Sequence, residues 1–131
     1  MGARLIRVTS RALGERRHVI VRVYDTRAEM CAAGTRFNGG DLANSDGITQ
    51  AYLDDDKRVT VPVVRLTRSR LSTQVISHEM HHAATSLYGS TLNADTLSSA
   101  VLTHHNEPFA HLFSDLLTHV IDSLYRFGYY D

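Results

Sequence analysis

At 131 residues and 43% hydrophobic, the chain has the size and apolar content of one domain, residues 1–131, built on one ordinary core. Its 14 basic and 14 acidic side chains cancel, no run of about 18 apolar residues is present, and there is one cysteine; these exclude a transmembrane helix, an internal disulfide scaffold and a CxxC zinc ribbon. The first ten residues carry arginines but no apolar stretch of signal-peptide length, so a cytoplasmic location is expected.

A short strand is predicted over Leu5 to Val8, and a clearer one over Val19 to Tyr24, where β-branched residues alternate with arginine. Thr26 to Ala33 reads as a short helix, capped by Asp25 or Thr26 and stopped at Gly34. Cys31 reads as a small packed hydrophobe on that helix. Residues 34–47, rich in Gly, Asn, Asp and Ser, form a loop. Strands are expected over Ile48 to Leu53 and Val59 to Leu66. Pro62 cannot donate to a ladder, which assigns the second of these to a sheet edge. From Ser69 the pattern changes to a period of 3.6, giving helices over about 69–88 and 106–127, closed by Gly89 and Gly128. The polar segment between them has Asn93 or Asp95 as caps for a short helix.

Ser77-His78-Glu79-Met80-His81-His82 contains H-E-x-x-H, a pattern that this composition would produce by chance about 0.015 times per chain. On a helix, His78 and His82 lie about 40° apart and one turn along, so both imidazoles can reach one ion. Ile76, Met80, Ala83 and Leu87 form the opposing core stripe. Glu79, beside the first ligand, is placed to take a proton from a zinc-activated water as a catalytic base rather than to hold the metal. His81 points elsewhere and is read as an exposed polar side chain. A catalytic zinc ion usually takes three protein ligands, and the best third candidate is Glu107, at the start of the last helix with Pro108 in its first turn. On that helix Phe109, Phe113, Leu116, Val120, Leu124 and Phe127 are the expected buried stripe, with Glu107, His111, Ser114 and Thr118 opposite. His111 is either a hydrogen-bond partner of a metal ligand or an alternative ligand. His104, His105 and Asp95 are weaker candidates.

With these residues in view, the chain resembles the gluzincin metallopeptidases, in which HExxH on one helix is completed by a glutamate on a later one. It looks most like the compact forms of bacteria and their phages, broadly of the ImmA/IrrE type. The resemblance rests on the Val59 to Leu66 strand, on His78-Glu79-x-x-His82 and on Glu107 followed by Ala110, and it spans roughly residues 19–127. It implies an α+β, zincin-like fold: a small twisted sheet with an edge strand packed on the HExxH helix, a C-terminal helix carrying the third ligand, and substrate lying antiparallel to the edge strand. One departure is His111, which stands where thermolysin-like members have an aspartate. Tyr52, Tyr125, Tyr129 and His111 are all candidates for stabilising an oxyanion.

The expected function is therefore hydrolysis of peptide bonds in a peptide or protein substrate by a Zn2+ metallopeptidase. The alternative is a zincin-shaped binding or regulatory module that keeps zinc without turnover. Residues 1–70 hold 13 basic against 8 acidic side chains (+5), and residues 71–131 hold 1 against 6 (−5). Arg65, Arg68 and Arg70 just precede the motif helix, from which a preference for acidic peptides is expected. No basic run or aromatic platform supports a nucleic-acid partner, and the oligomeric state is left open.

Overall fold

The computed structural model describes residues 3–38, 42–52, 60–89 and 107–129. Its elements in order are β1 (Arg4–Ser10), β2 (Arg17–Tyr24), α1 (Arg27–Asn38), β3 (Gly47–Gln50), β4 (Val63–Thr67), a 3-10 turn (Arg68–Arg70), α2 (Thr73–Gly89) and α3 (Glu107–Arg126). The strands form one mixed sheet in the order β1-β2-β4-β3. The central β2–β4 pair is parallel and both outer pairs are antiparallel, so the fold is α+β.

Strand alternation divides the core. Val19, Val21 and Val23 point to one face with Ile6, Val8, Val64 and Leu66, where they pack against Ile76, Met80, Ala83, Ala84 and Leu87 of α2 and Leu112, Leu116, Val120 and Leu124 of α3. The other face carries a smaller cluster, in which Tyr24 and Ile48 meet Met30 and Cys31 of α1. Cys31 is thus the buried hydrophobe expected of it. β1, at one edge, is closed by α3: the Thr9 amide donates to His119 Nδ1 at 3.0 Å and the Ser10 hydroxyl to Asp115 at 2.6 Å. Unpaired strand groups are covered in this way rather than left as a template for another chain.

The structure corrects three expectations. The strand containing Val64 and Leu66 is not an edge: β4 begins at Val63 and lies between β2 and β3. Pro62 sits one residue outside it, where the missing N–H costs nothing and its carbonyl accepts from the Ile20 amide at 3.0 Å. The edge strand on the α2 side is β3. α1 does begin at a Thr26 cap, whose hydroxyl accepts from the Glu29 amide and donates to the Glu29 carboxylate, but it does not stop at Gly34 and runs on to Asn38. Gly34 marks a close approach, since a Cβ there would lie 2.8 Å from Ile48 Cδ1 and 2.9 Å from Leu42 Cδ1 and the ends of those side chains would have to shift. On α3 the buried stripe is Leu112, Leu116, Val120, Ser123 and Leu124, with Phe109 and Phe113 at its border and Phe127 exposed. Phe127 instead lies beneath the Arg4 guanidinium, 4.3 Å from the ring centroid. Gly128 does end α3, at φ +80°. The Tyr129 amide reaches back to the Leu124 carbonyl at 2.9 Å, as a glycine C-cap requires. The segment with Asn93 and Asp95 lies outside the described residues.

An interior β4 predicts a contrast in stability. Leu66→Ala, at a fully buried position, should cost about 2–5 kcal/mol in denaturant unfolding. Leu5→Ala on half-exposed β1 should stay within about 0.5 kcal/mol.

Candidate metal and catalytic site

β4 feeds through the 3-10 turn into α2, so the motif helix starts beside the sheet. Ser72 caps it, with its hydroxyl accepting from the Val75 amide at 3.1 Å. The expected stripe of Ile76, Met80, Ala83 and Leu87 is buried. That orientation turns His78 and His82 outward. Their Nε2 atoms face each other at 3.1 Å with the rings nearly perpendicular. Two nitrogens bound to one tetrahedral zinc ion at 2.0–2.1 Å would stand about 3.3 Å apart, so the pair has the separation and the donor chemistry of two metal ligands. His81 is exposed, as expected, but its ring also has work in the fold: it packs edge-on against Phe109 and Phe113, 5.5 and 5.7 Å between centroids, and so ties α2 to α3.

Glu79 is only 6% exposed. It lies at the flank of the core stripe, where α2 meets the edge strand β3. Thr49 Oγ1 is 2.7 Å from Glu79 Oε1 and 3.0 Å from the Glu79 main-chain oxygen. Oε2 is turned the other way, 4.0 Å from His78 Nε2. Asp46, Gly47, Gln74, Val75, His78 and Glu79 line a cleft of about 210 Å³ at this place. A carboxylate with one oxygen hydrogen-bonded and the other beside an imidazole in an open cleft is suited to accepting a proton from a group bound there.

The other sequence-predicted residues are distributed differently. Glu107 stands in the first turn of α3, largely exposed, and its carboxylate is 3.5 Å from His111 Nε2, one turn along. Ser114 and Thr118 are exposed on the same helix, so that face is polar as expected. Among the described residues no three His, Cys, Asp or Glu side chains gather into a group able to hold a metal, so Glu107 and His111 are not brought to the His78–His82 pair there. Asp95, His104 and His105 lie outside the described residues. Of the oxyanion candidates, Tyr52 donates to the Phe37 carbonyl and stacks on its ring, Tyr129 lies under Arg68 at the end of α3, and Tyr125 is exposed. None of the three lines the cleft, and neither does His111.

The three arginines thought to favour acidic substrates part company. Arg65 is buried on the α1 side, where it donates to Gln50 Oε1 at 2.8 Å and the Tyr24 hydroxyl at 2.7 Å, and so cannot meet a substrate. Arg68 and Arg70 are exposed and line a groove of about 410 Å³ that shares Asp46, Gln74 and Val75 with the cleft. Thr49 and Gly47 are the site residues that sequence reasoning missed. The available signal was the two-residue period of the strand, which puts both on one face.

No protein-family model, curated protein or solved structure matches this chain.

The split among the arginines is measurable. Arg65→Ala strands buried polar partners and should cost about 1–3 kcal/mol in unfolding free energy. Arg68→Ala and Arg70→Ala, whose ion pairs are exposed and 3.8–3.9 Å long, should each change it by less than about 1 kcal/mol.

Proposed function

We propose that the protein is a zinc-dependent metallopeptidase in which His78 and His82 hold the metal and Glu79 is the general base. The observation that carries the reading is the combination of two outward imidazole nitrogens 3.1 Å apart with an adjacent buried carboxylate, one oxygen of which lies 4.0 Å from His78 Nε2 where His78 and Glu79 line a cleft. A buried glutamate is costly to keep unless its charge has a use or a partner, and here the residue lines the cleft beside His78. The zincin-like arrangement suggested by the sequence is supported by an edge strand, β3, that packs on the motif helix, although a different strand was expected in that role. Glu107 is kept as the proposed third ligand on the strength of the sequence pattern.

A bound zinc ion would supply Lewis acidity toward a water molecule and a substrate carbonyl. The chain's own part follows from its geometry. His78 and His82 present neutral nitrogen donors, which requires both rings to be unprotonated at Nε2. Glu79 Oε2 receives a proton within the cleft and can return it to the departing amine. Burial of Glu79 where α2 packs on β3 keeps that carboxylate from swinging into solvent between the two transfers.

Zinc content after dialysis should fall in His78→Ala and His82→Ala, with affinity reduced by more than about tenfold, and Glu107→Ala should behave alike. Full occupancy in Glu107→Ala would move the third ligand elsewhere. Glu79→Gln should retain zinc and fold normally, yet cleave a peptide library about 10²- to 10⁴-fold more slowly, because an amide cannot accept the proton. Cleavage at the parental rate by that variant would exclude the mechanism.

A further inference from the structure

We propose that the edge strand β3 is a positioning device for the Glu79 carboxylate, acting through the Thr49 hydroxyl and the missing side chain of Gly47. The inference rests on the metallopeptidase reading for its consequence, and on geometry alone for the contact.

Residues 47 and 49 share a strand face, and it is the face that meets α2. Ile48 and Gln50 point the opposite way, into the cluster under α1 and to the Gly34 carbonyl. Thr49 has one hydroxyl proton and two acceptors within reach, both on Glu79. The main-chain oxygen belongs to a residue in mid-helix and already serves as the acceptor for the amide four residues on. The carboxylate oxygen is nearer, at 2.7 Å, and charged, so the proton goes to Oε1. That bond fixes the carboxylate plane and leaves Oε2 for the cleft.

Gly47 closes the other side. A Cβ at this position would fall 2.8 Å from Glu79 Cγ, 3.0 Å from Oε2 and 3.1 Å from Cδ. The middle of the side chain as well as its tip would have to move, so even a methyl group would displace the base. β3 thus grips one carboxylate of α2 from two adjacent same-face positions. Neither residue is one of the proposed metal ligands, and both act through the position of Glu79.

The test uses the full chain with zinc. Thr49→Val removes the proton with little change in shape and should lower kcat by about tenfold to a hundredfold, with KM and zinc content near parental. Thr49→Ser keeps the hydroxyl and should retain most of the rate, which a purely structural role would not predict if both variants unfold alike. Gly47→Ala should also lower kcat, whereas Gly89→Ala, where an added Cβ meets nothing within 4 Å, should not. A second readout does not depend on turnover. With only four glutamates in the chain, the carboxyl carbon resonance of isotope-labelled Glu79 can be assigned by its loss in Glu79→Gln. It should shift in Thr49→Val and Gly47→Ala and return in Thr49→Ser. An unmoved resonance, or an unchanged kcat in an active parent, overturns the proposal. If the parent cleaves no peptide, the metallopeptidase reading falls by itself, and the resonance alone decides whether β3 holds Glu79.

Discussion

The structure is organised around a carboxylate buried between the edge of a sheet and a helix. An ionised group taken out of water loses several kcal/mol of hydration unless nearby donors replace it, and among the described residues the donor given to Glu79 is a threonine hydroxyl on β3. The arrangement therefore depends on strand register. A slip of one residue would turn Ile48 toward Glu79 and send Gly47 and Thr49 to the opposite face.

What holds that register lies on the far side of the sheet. Ile48 packs with Tyr24, Met30 and Cys31, and Gly34 lets α1 approach it closely. Gln50 donates to the Gly34 carbonyl at 2.9 Å and accepts from Arg65, which in turn donates to Tyr24. A buried guanidinium with a planar set of donors ties three strands and a helix into one network, and Phe37 lies against it, 5.4 Å from ring centroid to guanidinium carbon. The two faces of β3 thus divide the work: one anchors the strand and the other presents its residues to α2.

The motif itself is built unevenly. Its histidines stand outward and are oriented chiefly by each other, while the glutamate between them is enclosed. The 3.6-residue period explains the difference, because Glu79 lies about 40° from Ala83 around the helix and about 100° from His78. Packing the apolar stripe onto the sheet buries Glu79 at its flank and leaves both histidines exposed, His78 at the cleft. The same helix attaches to α3 through His81 and the phenylalanines, so α3 serves both to cover the sheet, up to the β1 edge, and to hold the motif helix down.

The sequence by itself determined the local features. β2 followed from alternation, α2 and its core stripe from period and composition, the start of α1 from a cap at Asp25 or Thr26, the end of α3 from Gly128, and the placement of His78 and His82 one turn apart, away from the core stripe, from their spacing. Each depends on residues a few positions apart, and such interactions are written in the chain. The order of strands was not. Pro62 was read as the mark of an edge, but it stands just outside an interior strand, and only the pairing of β4 with both β2 and β3 decides this. Gly34 was read as a stop when it is a point of close approach to Ile48, residues 14 positions apart. Arg65 resembled its neighbours in sequence and was separated from them by the face of the sheet on which it lies. The partner of Glu79 was likewise invisible, because Thr49 precedes it by 30 residues and meets it only where an edge strand packs on a helix.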